Sequence, residues 1–176
     1  MRYPEHYVDF LVEFHASRDY FECHEILEEL WKSDPASPYA PCWLALLRIA
    51  VALYHARRGN GAGAVKLMRK VVPAIEPERM EELGLDGTEL VRQAGEWLAE
   101  RVQGGGADYR DLDLPIADAE LLEECLRRSR ARGLEWGSDG RDAGEAVIHR
   151  HLLRDRTAVC EARRRSADAK ARARKG

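Results

Sequence analysis

No run of about 18 apolar residues occurs in this 176-residue chain, so no membrane-spanning helix is expected. Its first ten residues, MRYPEHYVDF, lack the apolar stretch of a secretory leader. Cysteine is scarce: Cys23, Cys42, Cys125 and Cys160 show neither CxxC spacing nor the density of a small disulfide scaffold. They read as reduced thiols of a cytoplasmic protein. The glycine-rich pieces at 59–63 and 104–106 have no preceding strand and no following Lys-Ser/Thr, which removes a phosphate-binding loop. There is no strand signal of useful length, no internal repeat, and no Ser/His/Asp arrangement that spacing alone supports.

What the chain does have is charge and helical periodicity. Charged residues make up 34% and apolar residues 45%, which suits amphipathic helices with wet outer faces. The net charge of −3 hides an asymmetry: from Arg154 onward nine Lys/Arg face three Asp/Glu, so an acidic body carries a basic tail. After Pro4, the residues Tyr3, Tyr7, Phe10, Leu11 and Phe14 recur at helical spacing up to about Ala16. Asp19, with Glu22 three residues on, opens a second helix to about Lys32. DPASP breaks it. A third helix over about 39–58 is apolar nearly all round between Trp43 and Ala56, which places it at the centre of the fold.

Asn60 caps a fourth helix that ends or kinks at Pro73, Thr88 caps a fifth, and Asp118 opens a sixth that stops near Gly133. A last helix from about Asp142 runs into the basic tail. The expectation is an all-α bundle of about six or seven helices. It divides into a core at 1–103, a linker with one more helix at 104–136, and a hinge, helix and tail at 137–176.

The richest stretch is FECHEILEELW at 21–31. At 100° per residue, with Tyr20 at 0°, His24 falls at about 40° and Glu28 at about 80°, between Trp31 and Phe21. Glu22 and Glu29 fall on the far side, and Glu25 lies at the border beside Lys32. Glu28 is therefore expected to be buried, and a buried carboxylate needs a partner. An antiparallel pairing of helices two and three, setting Lys32 near Ala40 and His24 near Arg48, offers Arg48. The expected buried polar cluster is thus His24, Glu28 and Arg48, framed by the aromatics Phe21, Trp31 and Trp43. His55 lies about 10 Å beyond Arg48 along the helix, which counts against its joining the group.

The segment FHASRDYFECHEILEELW, with the later VALYHARRGNGAGAVKLMRK, resembles the bacterial and archaeal domain-of-unknown-function family number three hundred and nine. The matching positions are Phe14, Tyr20, Phe21, Glu22, His24, Glu25, Glu28, Trp31, Tyr54 and His55, within Phe14 to Ile75. His15 stands where that family usually has Asn, and Cys23 where it usually has Ala. The resemblance implies a compact all-helical domain and no established activity.

Three functional readings stand. In the first the chain is a non-catalytic binding or interaction protein, as a partner of another protein or of a second copy of itself, with the polar cluster fixing how two helices pack. In the second HEILE at 24–28 is a variant of the zincin HExxH pattern. His24 and Glu28 would then be ligands of a divalent metal, His55 a distant third candidate, and Glu25 a base on metal-bound water. In the third the nine basic residues of 154–176 contact nucleic acid. His149 and His151 point apart on their helix and read as surface residues.

Overall fold

A computed structural model describes residues 2–104 and 109–149. The basic tail, with Cys160 and His151, lies outside the described residues. The all-helical expectation holds. The described residues form α1 (Glu5–Val12), α2 (Tyr20–Ser33), α3 (Ala40–Arg57), α4 (Gly61–Val71), α5 (Pro77–Glu82), α6 (Gly87–Gln103), α7 (Ala119–Ala131) and α8 (Glu145–Ile148). A π-helical turn at Glu13–Ser17 follows α1, and a 3-10 turn at Val72–Ala74 follows α4. No strand occurs among them; the one ladder-like contact is an isolated antiparallel bridge between Leu85 and Ile116. No helix among the described residues is long and apolar enough to cross a membrane.

Side-chain caps set half of the described helix starts. Asp19 accepts from the Glu22 amide, Asn60 from Gly63, and Asp118 from Leu121, each satisfying an orphan donor of a first turn. For α6 the expected cap Thr88 is displaced by Asp86, whose carboxylate takes the Glu89 amide at 2.8 Å. Asp is at least as strong a cap as Thr, and Gly87 is needed where it stands: a Cβ there would come within 2.2 Å of the Pro77 carbonyl. The short α5 was not expected; Pro77 at its first position is the signal for it.

The first helix keeps α geometry only to Val12 before widening into the π turn. The last described helix starts at Glu145, three residues after the expected Asp142, because Asp142 is tied into a turn on Asp139.

Helix α3 lies between α2 and α4. Eleven of its 18 residues are buried, so the apolar sequence does place it inside the fold. Helix α1 packs on both α2 and α7, and Leu112, Leu114, Leu121 and Cys125 join the same apolar core as Phe10, Leu46 and Trp97. Between α6 and α7 the chain runs extended as Asp-Leu-Asp-Leu. Leu112 and Leu114 point inward, and Asp111 and Asp113 reach toward the start of α2. Cys23, Cys42 and Cys125 are free and buried, and burial pushes the Cys42 thiol up to about 11 and the Cys125 thiol up to about 12.

Candidate metal centre

Helix α2 buries the stripe Tyr20, Cys23, Leu27 and Leu30. That stripe is centred well away from Glu28, since Phe21 and Trp31 are only half-buried and mark its edges. Glu28 consequently sits on the border with its side chain 38% exposed, and it pairs with Lys32 one turn on at 2.9 Å. The expected burial of Glu28 is corrected on this point. Counting both aromatics as fully inward tilted the inferred apolar arc toward Glu28. The Glu-to-Lys spacing of four is itself the favourable helix-surface arrangement.

Arg48 is likewise not the partner of Glu28, whose partner is Lys32. Helices α2 and α3 do lie side by side, but their register differs from the expected one. Phe21 faces Tyr54, with ring centroids 6.2 Å apart, and Arg57 lies over the Tyr20 ring at 4.9 Å. The expected pairing extrapolates to Phe21 opposite Val51, so the helices are displaced by about one turn. Of the expected aromatic frame, Trp43 is core, while Phe21 and Trp31 pack on its rim.

The structure does bring together three donors of the HEILE segment. Ligand atoms of His24, Glu25 and Glu28 all lie within 4.8 Å of one another, and all three residues are half-buried. His24 Nδ1 stands 3.1 Å from Glu25 Oε1. Two ligands of one tetrahedral zinc ion, each about 2.1 Å from it, are separated by roughly 3.4 Å. Closing on an ion therefore needs rotamer movement of about 1 Å at half-exposed side chains, a small cost. A nitrogen and two carboxylate oxygens suit borderline zinc or, through the carboxylates, the harder manganese. His55 is not in this group. It stands at the end of α3 with Nδ1 3.1 Å from the Asn60 amide nitrogen, and burial together with Arg58 holds its imidazole below the usual histidine range.

The deeply buried polar groups lie elsewhere, at the joint between the π turn and α2. Arg18 is 3% exposed and adopts φ 54°, a left-handed conformation that costs a non-glycine residue about 1 kcal/mol or more. Its guanidinium donates to the Ser138 carbonyl at 2.8 Å, to the Phe14 carbonyl at 3.2 Å and to Asp113 at 2.8 Å. Its own carbonyl accepts from Arg57 at 2.7 Å. Beside it, Tyr20 donates to Asp111 at 2.8 Å, Tyr109 donates to the same carboxylate oxygen, and the Gly140 amide donates to the other at 2.6 Å. Burial pushes the Tyr20 phenol well above its ordinary range.

Sequence reasoning missed this assembly. Four separate stretches supply it, with Arg57 of α3 as one, and the available signals were weak ones: a charged Arg18 directly before a cap, and alternating Asp and Leu at 111–114.

The matching family is described as "Domain of unknown function (DUF309)", and its match covers residues 7–67, from α1 into α4. The chain is also similar to the Bacillus subtilis (strain 168) protein named "Uncharacterized protein YpuF". The two are 41% identical over 174 residues, which is 98% of this chain and 99% of that protein. That likeness runs well beyond the helical core that carries the family match. No solved structure matches the chain.

Proposed function

We propose, from the premise that the chain belongs to the DUF309 family of domains of unknown function, that it is a helical protein that binds a divalent cation through His24, Glu25 and Glu28. The observation that supports this reading is the convergence of three ligand atoms within 4.8 Å on one half-buried helix face. Three protein ligands would leave a further position to water, the pattern of open rather than purely structural sites. Glu25 is close enough to ligate and, when it does not, to accept a proton from that water. Lys32 has to release Glu28 for the ion to enter, so occupancy replaces an exposed ion pair rather than breaking a buried one. Because a ligating imidazole must be neutral, binding is expected to weaken on acidification.

The test is calorimetric titration of the purified full chain with zinc and with manganese, accompanied by elemental analysis of the protein as isolated. One equivalent per chain is expected, with affinity reduced at least about tenfold in His24→Ala and in Glu28→Gln, each removing one ligand. His55→Ala should leave it unchanged. No binding to the wild type, or equal binding by His24→Ala, would sink the proposal. The helix face would then stand as a contact surface for a protein partner, which is the reading that needs no ion.

A further inference from the structure

The π turn leaves backbone carbonyls without the partners an α-helix would give them, and a distant loop supplies those partners. Residues 134–140 fold back across 120 or so positions of sequence to cover it. The Gly137 amide donates to the His15 carbonyl at 2.9 Å, and the Ser138 hydroxyl donates to the Ala16 carbonyl. Trp136 stacks on the His15 ring with centroids 4.6 Å apart and planes 15° from parallel. The far end is pinned where the Gly140 amide meets Asp111, so close that a Cβ there would lie 2.4 Å from that carboxylate and push it aside. The near end is held by Ser129, fully buried at the end of α7, which accepts the Leu134 amide on its carbonyl and donates its hydroxyl to the Leu134 carbonyl.

His15 is the part of this arrangement that does not fit acid conditions. It is 4% exposed, and its Nε2 is buried with no hydrogen-bond partner. A proton added there would create a buried donor with no acceptor and a charge taken out of water, a cost that the attraction of the indole face for a cation offsets only in part. The charged groups that face the ring are Asp113, 3.6 Å from Nδ1, and Arg18. Asp113 favours the imidazolium but is largely exposed, its side chain 64% accessible, so water screens it; Arg18 opposes the imidazolium.

We propose that residues 134–140 form an acid-released strap: the stack of Trp136 on neutral His15 latches the segment over the π turn, and protonation of His15 frees it. Release uncovers the Arg18 guanidinium and the Ala16 carbonyl at the entry to α2. The imidazole is held below the ordinary histidine range by burial. The latch is therefore fully closed above about pH 6.5 and weakens as pH falls through that lower value.

The experiment is amide exchange on the full chain from pH 8 to pH 5, expressed as protection relative to the intrinsic rate at each pH, with the His15 ring signal followed in parallel. Gly137 protection should be lost on acidification with the midpoint of the His15 titration, while amides of α3 such as Ile49 and Leu53 keep theirs. His15→Phe preserves a stacking ring without a titrating group and should make Gly137 protection independent of pH. Trp136→Ala should remove that protection at every pH with the helices intact, which checks the latch even if His15→Phe fails to fold. Flat protection in the wild type, pH-dependent protection in His15→Phe, or a protected Gly137 in Trp136→Ala would each overturn the proposal.

Discussion

The outer face of α2 and the joint beneath its first turn are close in sequence and opposite in construction. On the face, His24, Glu25, Glu28 and Lys32 are neighbours on one helix, each at least partly exposed, and His24 meets Glu25 while Glu28 meets Lys32, one and four residues away. At the joint, Arg18 is buried and its partners Asp113 and Ser138 are 95 and 120 residues away. Under the cation-binding proposal, the exposed Glu28–Lys32 pair would be exchanged for a ligand at little cost to folding. Long-range wiring makes the joint a place where four parts of the chain are fastened together, so disturbing it is felt as stability. The group most conspicuous in the sequence is thus the one built from neighbouring residues, and the group that secures the fold is nearly silent there.

Breaking the joint should give the largest effects. Arg18→Ala strands the buried carbonyl of Phe14 and the part-buried carbonyl of Ser138 and takes from Asp113 its guanidinium partner, and a loss of about 3 kcal/mol is expected in denaturant unfolding. A loss below about 1 kcal/mol would mean that water enters the joint and satisfies these groups. Tyr20→Phe removes one hydroxyl from the Asp111 cluster while Tyr109 and Gly140 keep their bonds to it. About 1 kcal/mol should be lost, read in the same way. His24→Ala should cost less than either, under about 0.5 kcal/mol, since its ring is a third exposed and pairs only along its own helix. The same variant should nevertheless remove most of the stabilisation that added zinc gives the wild type, which a melting curve with and without the ion measures.

Helical periodicity made the fold legible where side chains act locally. Asp19, Asn60 and Asp118 are caps that need only their own first turn, and the apolar α3 announces its own burial. Legibility failed where tertiary context decides. Asp86 rather than Thr88 starts α6 because Gly87 must lie against Pro77. The π turn follows from carbonyls that a loop more than a hundred residues away can satisfy, and no periodicity in residues 13–17 carries that information. At the candidate site the sequence supplied His24, Glu25 and Glu28 and set Glu25 at the border where it lies, but placed His24 and Glu28 too deep. An aromatic residue on a helix is counted as inward by projection, yet Phe21 and Trp31 are large enough to reach the core from its rim. One turn of helix register then sufficed to exchange the inferred partner Arg48 for Lys32.

The smallest expected effect is also the one that most directly separates the two regions. A Glu28 buried against an arginine would make Glu28→Ala cost about 3 kcal/mol. The observed Glu28, 38% exposed and paired with a Lys32 that is 61% exposed, should cost about 0.3–0.5 kcal/mol at low salt. Such a pair is screened by ions in solution, so the difference from wild type should shrink toward zero as ionic strength rises to about 1 M. Glu29→Ala, on the exposed side of the same helix, should be close to neutral at every salt concentration. A salt-insensitive loss of several kcal/mol in Glu28→Ala would return Glu28 to the interior and make the outer face as structural as the joint. A small, screened loss means that the carboxylate is held in place only by a surface lysine, and so stands ready to change that partner for a cation.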